Sequence, residues 1–145
     1  MNRPASLCHG LVLVAIMTCV GAAHADLVVT DAWVRNAPPK AYMRAGYGSL
    51  FNNGSASITV LDIRSADFER SEVHETSFKN GMMNMSRLEK IVIPAKGHFE
   101  FNPNGAHIML ISPKREIRKG DTLSLEWVLA DGKVVKSVAE VRDAP

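Results

Sequence analysis

The sequence predicts an all-β fold, an antiparallel β-sandwich or barrel, and three observations lead to this prediction. Turn-forming residues such as Asn80-Gly81 and Asp131-Gly132 recur along the chain. Short runs rich in β-branched and aromatic residues lie between these turns, and no stretch shows helical periodicity over three turns. Many short strands at regular spacing within one domain are typical of sandwiches and barrels.

Residues 1–25 have the pattern of a secretory signal peptide. Arg3 supplies a positive charge, the run from Leu11 to Val20 is apolar, and Ala23-His24-Ala25 matches the small-x-small cleavage pattern. The apolar run is shorter than the roughly 20 residues that a transmembrane helix needs. We therefore expect cleavage before Asp26 and no membrane anchor after processing. A retained anchor is one alternative, and a lipid on Cys19 is another, although Met17-Thr18 is a poor approach to a lipidated cysteine.

Composition narrows the function classes. Cys8 and Cys19 both lie in the segment expected to be removed, so the processed chain has neither a disulfide nor a thiolate ligand. Cleavage removes Arg3 and no acidic residue, so the net charge falls from +2 to +1. A near-neutral surface gives no reason to invoke nucleic acid or anionic membranes. Residues 26–145 suit a single domain that buries its own core, without a repeat or linker that would divide it.

Nine runs are predicted as strands, and the turn residues explain where most of them end. Asn52-Asn53-Gly54 ends the first run, Asn80-Gly81 joins the third and fourth, and Pro94–Gly97 follows the fifth. Asn102–Gly105 follows the sixth run, and Asp131-Gly132 joins the last two. The runs are Ala45–Phe51, Ser57–Ser65, Glu72–Ser77, Met82–Ser86, Leu88–Ile93, His98–Phe101, His107–Ser112, Thr122–Leu129 and Val134–Val141.

Two histidines and two methionines, His74, Met85, His107 and Met109, are the candidate functional residues. Thioether sulfur is neutral and polarisable, so it binds hard or borderline cations poorly and monovalent copper well. Zinc sites use thiolate, imidazole and carboxylate instead. Two imidazoles together with two thioethers therefore predict a Cu(I) site.

The strand pattern indicates how these residues could meet. Asn80-Gly81 is a strong hairpin signal, and the register it predicts puts His74 and Met85 on one face as diagonal neighbours, with backbones roughly 7–8 Å apart. His107 and Met109 are two residues apart, so they share a face of a later strand. All four can meet if that strand lies beside the hairpin, and a one-residue slip would separate His74 from Met85.

The spacing of the four residues resembles the signature of the periplasmic copper chaperones of the PCuAC type. Ten residues separate His74 from Met85, twenty-one separate Met85 from His107, and one separates His107 from Met109. The resemblance extends from about Asp31 to Val141. Its supporting motifs are Ala32-Trp33-Val34-Arg35-Asn36-Ala37-Pro38-Pro39, Ala45-Gly46-Tyr47, Asn52-Asn53-Gly54, Val73-His74-Glu75, Gly81-Met82-Met83-Asn84-Met85, Ile93-Pro94-Ala95, Gly105-Ala106-His107-Ile108-Met109-Leu110 and Lys119-Gly120-Asp121.

The resemblance implies a cupredoxin-like, Greek-key β-sandwich that binds one exposed Cu(I) per chain through His74, Met85, His107 and Met109. It implies a metallochaperone in the periplasm that delivers copper for assembly of the CuA centre of cytochrome c oxidase. We expect a monomer, although the sequence leaves the oligomeric state open. The implied partner is the CuA-bearing oxidase subunit or a Sco-type assembly protein.

The chain departs from the family pattern at three points. Many relatives have a methionine where this chain has Thr76, and an aromatic residue often stands where this chain has Ala106. The small Ala106 leaves the site more open. The chain also ends at Pro145 without the His/Met-rich tail of some relatives, which puts a second copper site in doubt.

The sequence points to a carrier and not to an enzyme, because it has no nucleophile motif, no phosphate-binding loop and no convincing carboxylate pair. Two other functions stay open. One is copper sequestration without a specific acceptor, which would need the same ligands. The other is a copper enzyme that uses an N-terminal His24, which requires cleavage after Ala23.

The remaining candidate residues are assigned structural roles. Met83 lies on the ligand face by the predicted register and is expected to pack around the site, with an auxiliary sulfur as the alternative. Met82 faces the other way and is expected in the core. His98 is expected on the surface, and Trp33 and Trp127 are expected to be core aromatics.

Overall fold

A computed structural model describes residues 26–145, and every regular element in that range is a β-strand. The all-β prediction is therefore confirmed. The predicted signal peptide, with Cys19 and His24, lies outside the described residues. Within the described part of the chain, no helix is long and apolar enough to cross a membrane. The strands are β1 (Leu27–Arg35), β2 (Met43–Asn52), β3 (Ile58–Arg64), β4 (Phe68–Lys79), β5 (Met82–Arg87), β6 (Ile91–Ile93), β7 (His98–Phe101), β8 (Ala106–Pro113), β9 (Thr122–Leu129) and β10 (Val134–Arg142).

The strands form one hydrogen-bonded path in the order β5-β4-β8-β2-β1-β10-β9-β3-β6, and β7 pairs with the second half of β2. All the pairs are antiparallel except β1 with β10, where Trp33 lies beside Glu140. Strand β3 also lies against β4, although the two are far apart along this path. The sheet therefore folds over itself and encloses a core between its halves, as in a sandwich.

The core is built from alternate residues of the strands. In β9, Leu123, Leu125 and Trp127 are buried, as the alternation in the sequence predicts. In β8, Ile108 and Leu110 belong to the same cluster. Because successive side chains of a strand point to opposite faces, His107 and Met109 project from the face of β8 that is turned away from this core.

The tryptophan prediction is confirmed for burial. Trp127 lies in the main core, whereas Trp33 is buried outside that cluster. The Trp33 ring packs on Tyr47 with a centroid separation of 4.7 Å, and the guanidinium of Arg142 lies 5.1 Å from its centre. Trp33 therefore has a second, smaller packing site with a cation–π contact.

Strand β1 was not among the predicted strands. Its pairing with β2 shifts between Thr30 and Trp33, and Asp31 adopts a φ of 49°. A bulge of this kind interrupts the alternation of inward-facing and outward-facing side chains. The strand therefore lacks the alternating apolar and polar pattern from which strands are predicted.

Candidate metal centre

The β4–β5 hairpin carries two of the four candidate ligands. Asn80 and Gly81 have φ angles of 53° and 75°, which are the left-handed values that a two-residue type I′ turn needs at both central positions. The register places Thr76 opposite Met85 and, two residues further, His74 opposite Arg87. The predicted register is therefore confirmed, and His74 and Met85 are diagonal neighbours on one face.

Strand β8 lies beside β4 and brings the other two candidates to the same face. His107 is directly opposite His74, and Met109 is opposite Glu72. The adjacency that the sequence left open is thus present. The two imidazole centroids are 6.1 Å apart with their planes inclined at 39°.

That separation can be compared with what one bound ion requires. With a metal–nitrogen bond of about 2 Å and the ring centre about 1 Å behind the nitrogen, two imidazoles on one ion have centres up to about 6 Å apart. The observed 6.1 Å lies at this upper limit, which corresponds to a linear arrangement of the two nitrogens about the ion, so the rings must move closer together to share an ion with two further ligands. Their strand pairing, rather than a long loop, holds them at the observed separation.

Burial increases across the site from β5 to β8. Met85 is 48% exposed, the His74 side chain is 20% exposed, and His107 is 7% exposed. Met109 is half-buried. Because β5 is the edge strand of the sheet, an incoming molecule can approach the site from the Met85 side.

Glu72 lies on the same face of β4 and holds one nitrogen of His74. The Nε2 atom of His74 lies 2.8 Å from Oε2 of Glu72. The other carboxylate oxygen, Oε1, lies 3.1 Å from Nε of Arg70 and 3.7 Å from Nη1 of Arg87. The hydrogen bond to His74 lowers the pKa of Glu72 below its ordinary value; burial opposes this effect, and Arg87 and Arg70 reinforce it. The carboxylate is therefore ionised at neutral pH.

Sequence reasoning missed this role of Glu72. No motif in the sequence singles out Glu72 as a partner of His74. The signal that could have found it is its position two residues before His74, since residues i and i+2 of a strand share a face.

His107 has a different support. Its Nδ1 atom lies 3.2 Å from the carbonyl oxygen of Gly105, which also accepts a hydrogen bond from the backbone N–H of Thr76 at 3.1 Å. The turn that leads into β8 is closed by Asn102, whose side-chain oxygen accepts the N–H of Asn104. The start of β8 and the His107 ring are therefore tied to β4 by one carbonyl group.

The structure corrects two of the methionine assignments. Met82 was expected in the core but is 71% exposed, so that prediction is wrong. Met83 is opposite Phe78 on the ligand face, but it is 65% exposed and does not pack around the site as expected. The reason is that the end of the hairpin extends beyond the body of the sheet on an edge strand. His98 is exposed, as expected, and its ring stacks on Phe51.

Across residues 26–145, no group of three or more histidine, cysteine or carboxylate side chains is arranged to hold a metal ion. The grouping on this face is two imidazoles flanked by two thioethers. Three of the four residues, His74, His107 and Met109, lie next to core residues along β4 and β8. The packing of these two strands on the core therefore also holds the three side chains in position.

Comparison with known families and proteins agrees with this fold. The family model described as "Putative lipoprotein LpqE-like" matches residues 27–141. A protein of Leifsonia xyli subsp. xyli named "Putative lipoprotein Lxx21020" is 31% identical over 116 residues, which is 79% of this chain and 69% of that protein. An uncharacterized protein of Rickettsia prowazekii is 26% identical over 128 residues, which is 85% of this chain and 71% of the relative.

Solved structures of PCuAC domains share the architecture. The copper-bound PCuAC domain from PmoF2 superposes with a TM-score of 0.68 at 19% identity, over 86% of this chain and 97% of that one. The solution structure of CuI-DR1885 from Deinococcus radiodurans superposes with a TM-score of 0.65 at 26% identity, over 86% of this chain and 83% of that one. The cupredoxin-like prediction is confirmed by these matches. With the family model spanning nearly all of the described residues, the chain belongs to the LpqE-like family of PCuAC-type domains.

Proposed function

We propose that this protein is a periplasmic Cu(I) metallochaperone. It binds one copper ion per chain through His74, Met85, His107 and Met109, and it delivers that ion for assembly of the CuA centre of cytochrome c oxidase. The observation that carries the proposal is the β4–β8 register, which sets His74 opposite His107 with both methionines on the same face.

The donor set supports monovalent copper as the cargo. Two neutral imidazoles and two neutral thioethers add no negative charge, and soft sulfur favours Cu(I) over harder ions. The site has no cysteine and so lacks the thiolate of a blue-copper electron-transfer centre. Carriage, not catalysis, is the role that this chemistry suits. Copper-loaded structures of two similar proteins, the PmoF2 domain and DR1885, add support from the family.

The burial gradient suits transfer by ligand exchange. Met85 is the most exposed of the four residues and lies on an edge strand, so its weak thioether bond is the one that an incoming donor can replace first. His107 is buried and supported by Gly105, so it releases the ion last. Stepwise replacement avoids a free ion at every stage.

The proposed acceptor is a CuA-bearing oxidase subunit or a Sco-type assembly protein, met by a monomer of this chain in the periplasm. Names of relatives as lipoproteins support export. Copper sequestration without a specific acceptor would use the same ligands. A deletion strain distinguishes the two, because loss of oxidase activity at low copper indicates delivery whereas copper sensitivity indicates sequestration.

The first experiment is a Cu(I) competition titration of residues 26–145 against a chromophoric chelator under reducing conditions. A variant carrying Met85→Leu and Met109→Leu keeps the apolar volume and removes both sulfurs. We expect one tightly bound copper in the native protein and far weaker binding in the variant.

The matched control carries Met43→Leu and Met82→Leu. Met43 is 50% exposed, close to the 48% of Met85, and both control residues lie outside the proposed set. The control is expected to bind copper like the native protein. Equal binding by all three proteins would contradict the proposed ligand set, and absence of binding by the native protein would contradict the function.

A further inference from the structure

The two histidines of the site are hydrogen-bonded through different ring nitrogens. His74 uses Nε2, which faces the Glu72 carboxylate at 2.8 Å, and His107 uses Nδ1, which faces the Gly105 carbonyl at 3.2 Å. A carboxylate and a carbonyl oxygen can only accept a hydrogen bond. The proton of neutral His74 is therefore on Nε2 and that of neutral His107 is on Nδ1. The lone pairs remain on Nδ1 of His74 and Nε2 of His107.

The Glu72 carboxylate is itself held in place. One of its oxygens accepts from His74, and the other lies between the guanidinium groups of Arg70 and Arg87. Its side chain is 15% exposed, and its strand neighbour on β8 is Met109. Since both oxygens are engaged, the carboxylate is a fixed acceptor beside the imidazole.

We propose that Glu72 is a positioning residue for copper binding, which holds His74 in the Nε2–H form so that the ring presents Nδ1 to the ion. The Gly105 carbonyl does the same for His107, which presents Nε2. The inference rests on the proposed copper-binding function. It adds the ring nitrogen through which each histidine binds copper, and it identifies the Glu72 carboxylate as the group that leaves Nδ1 of His74 free to bind. Outer partners of this kind fix ring orientation and raise the basicity of the ligand, and their loss typically reduces metal affinity 10–100-fold.

The opposed use of the two rings has a structural reason. His74 lies in the middle of a strand, where residue i−2 of the same face is Glu72, and a side-chain carboxylate reaches the far nitrogen of the ring. His107 is the second residue of β8, and a carbonyl two residues earlier reaches the near nitrogen. The two histidines therefore adopt opposite tautomers, because their positions in the strands place different acceptors beside different ring nitrogens.

The proton positions can be measured without copper. Long-range ¹H–¹⁵N correlation spectra of the apo protein at about pH 8, where free histidine is neutral, report which ring nitrogen bears the proton. We expect Nε2–H for His74 and Nδ1–H for His107. In Glu72→Ala, His74 is expected to show the mixed tautomers of a free imidazole, while His107 is unchanged.

Glu72→Gln tests the acceptor, because its amide oxygen can still accept from Nε2–H and is expected to preserve the tautomer better than alanine does. Glu75→Ala is the matched control, since it removes the same charge from the same strand on the opposite face. Backbone amide spectra of each variant establish that the fold is retained. A native His74 that carries its proton mainly on Nδ1 would overturn the inference.

Copper binding gives the second readout. We expect Glu72→Ala to bind Cu(I) 10–100-fold more weakly and Glu75→Ala to match the native protein. In the copper-loaded native protein, which is diamagnetic, the Nε2 proton of His74 is expected to remain. Loss of that proton on loading would show that copper displaces Glu72 from Nε2, which contradicts the positioning role. The apo spectra separate the two failures, because the tautomers are measured whether or not copper binds.

Discussion

His74 and His107 lie directly opposite each other on β4 and β8, with imidazole centroids 6.1 Å apart. Met85 and Met109 lie on either side of this pair along the strands. A single cross-strand position therefore organises the whole candidate site. Its consequences can be tested residue by residue.

The cross-strand histidine pair is expected to act as one unit in copper binding. His74→Ala and His107→Ala should each weaken Cu(I) binding by more than the 10–100-fold that is typical of outer partners. The double variant should be less impaired than the two losses multiplied together, because residues that share a partner are not additive. Competition titrations of the four proteins measure this coupling, and fully additive losses would contradict a shared ion.

The Asn80-Gly81 turn is expected to affect both stability and copper binding. Gly81 has a φ of 75° and open space around it, so Gly81→Ala adds only backbone strain of about 1–2 kcal/mol. Urea unfolding should show this loss, and copper affinity should fall because the hairpin carries Met85.

Gly132→Ala is the control for that experiment. Gly132 has a φ of 87° in the turn between β9 and β10, also with open space around it, but that turn carries none of the four candidate ligands. We expect a similar loss of stability with unchanged copper affinity. Equal loss of affinity in both variants would mean that strain acts through general destabilisation.

Arg44 is expected to stabilise the segment before β2. Its side chain is buried, and Nη2 donates to the carbonyl oxygens of Ala37, Pro38 and Ile117 at 3.3, 3.0 and 2.9 Å. Burial lowers the pKa of Arg44. Arg44→Met should reduce the free energy of unfolding by about 1–3 kcal/mol, because it removes the hydrogen-bond donor of the buried Ile117 carbonyl and of the part-buried Ala37 carbonyl. The Pro38 carbonyl still accepts from the backbone N–H of Ala41.

Urea unfolding measures the effect of Arg44→Met. Among the described residues, Nε and Nη1 of Arg44 have no hydrogen-bond partner. A variant as stable as the native protein would contradict the prediction, since the cost of burying these two groups would then cancel the benefit of the three hydrogen bonds.

Acid is expected to destabilise the protein through Asp121. Its carboxylate accepts hydrogen bonds from the backbone N–H of Arg118 and from the side chain of Arg115, and these contacts lower the pKa of Asp121 in the folded state. A carboxyl whose pKa is lower in the folded state stabilises the fold above its unfolded pKa of about 3.9. This stability is lost as the pH falls through the folded value.

Unfolding in urea at pH 6 and at pH 3 measures that loss. The native protein should lose more stability between the two pH values than Asp121→Asn, which has already lost the charge. Glu75→Gln, on an exposed part of β4, should follow the native protein. An identical pH response in all three proteins would contradict a role for Asp121.

Processing of the N-terminus is expected to leave Asp26 as the first residue, and the intact mass of the protein from an envelope fraction tests this. The alternative left open by the sequence is a lipid on Cys19, which gives a heavier species. If cleavage occurs before Asp26, Cys19→Ser should leave the mass of the mature protein unchanged, whereas it should abolish the heavier species if Cys19 carries the lipid. An intact mass that corresponds to a chain starting at His24 would instead favour the copper-enzyme alternative.

Local features of the sequence were sufficient for the β4–β5 register. Asn80 and Gly81 accept positive φ at adjacent positions, so they define the turn, and period two then places His74 and Met85 on one face. The spacing of the four candidate residues also identified the family without a structure. The register depends only on residues within one hairpin, and the family assignment depends only on the spacing of residues along the chain.

Only the tertiary structure decided which strands lie side by side and how deeply each residue is buried. The sequence left the β4–β8 pairing open, because contacts between distant strands depend on the packing of the whole core. It missed β1, whose bulge at Asp31 breaks the alternation, and it placed Met82 in a core that the edge hairpin does not reach. The spacing of Glu72 and His74 puts them on one face, but only the structure shows their hydrogen bond and the two arginines, Arg70 and Arg87, around the other carboxylate oxygen. Turn geometry depends on the local chain, whereas strand neighbours and burial depend on the whole fold.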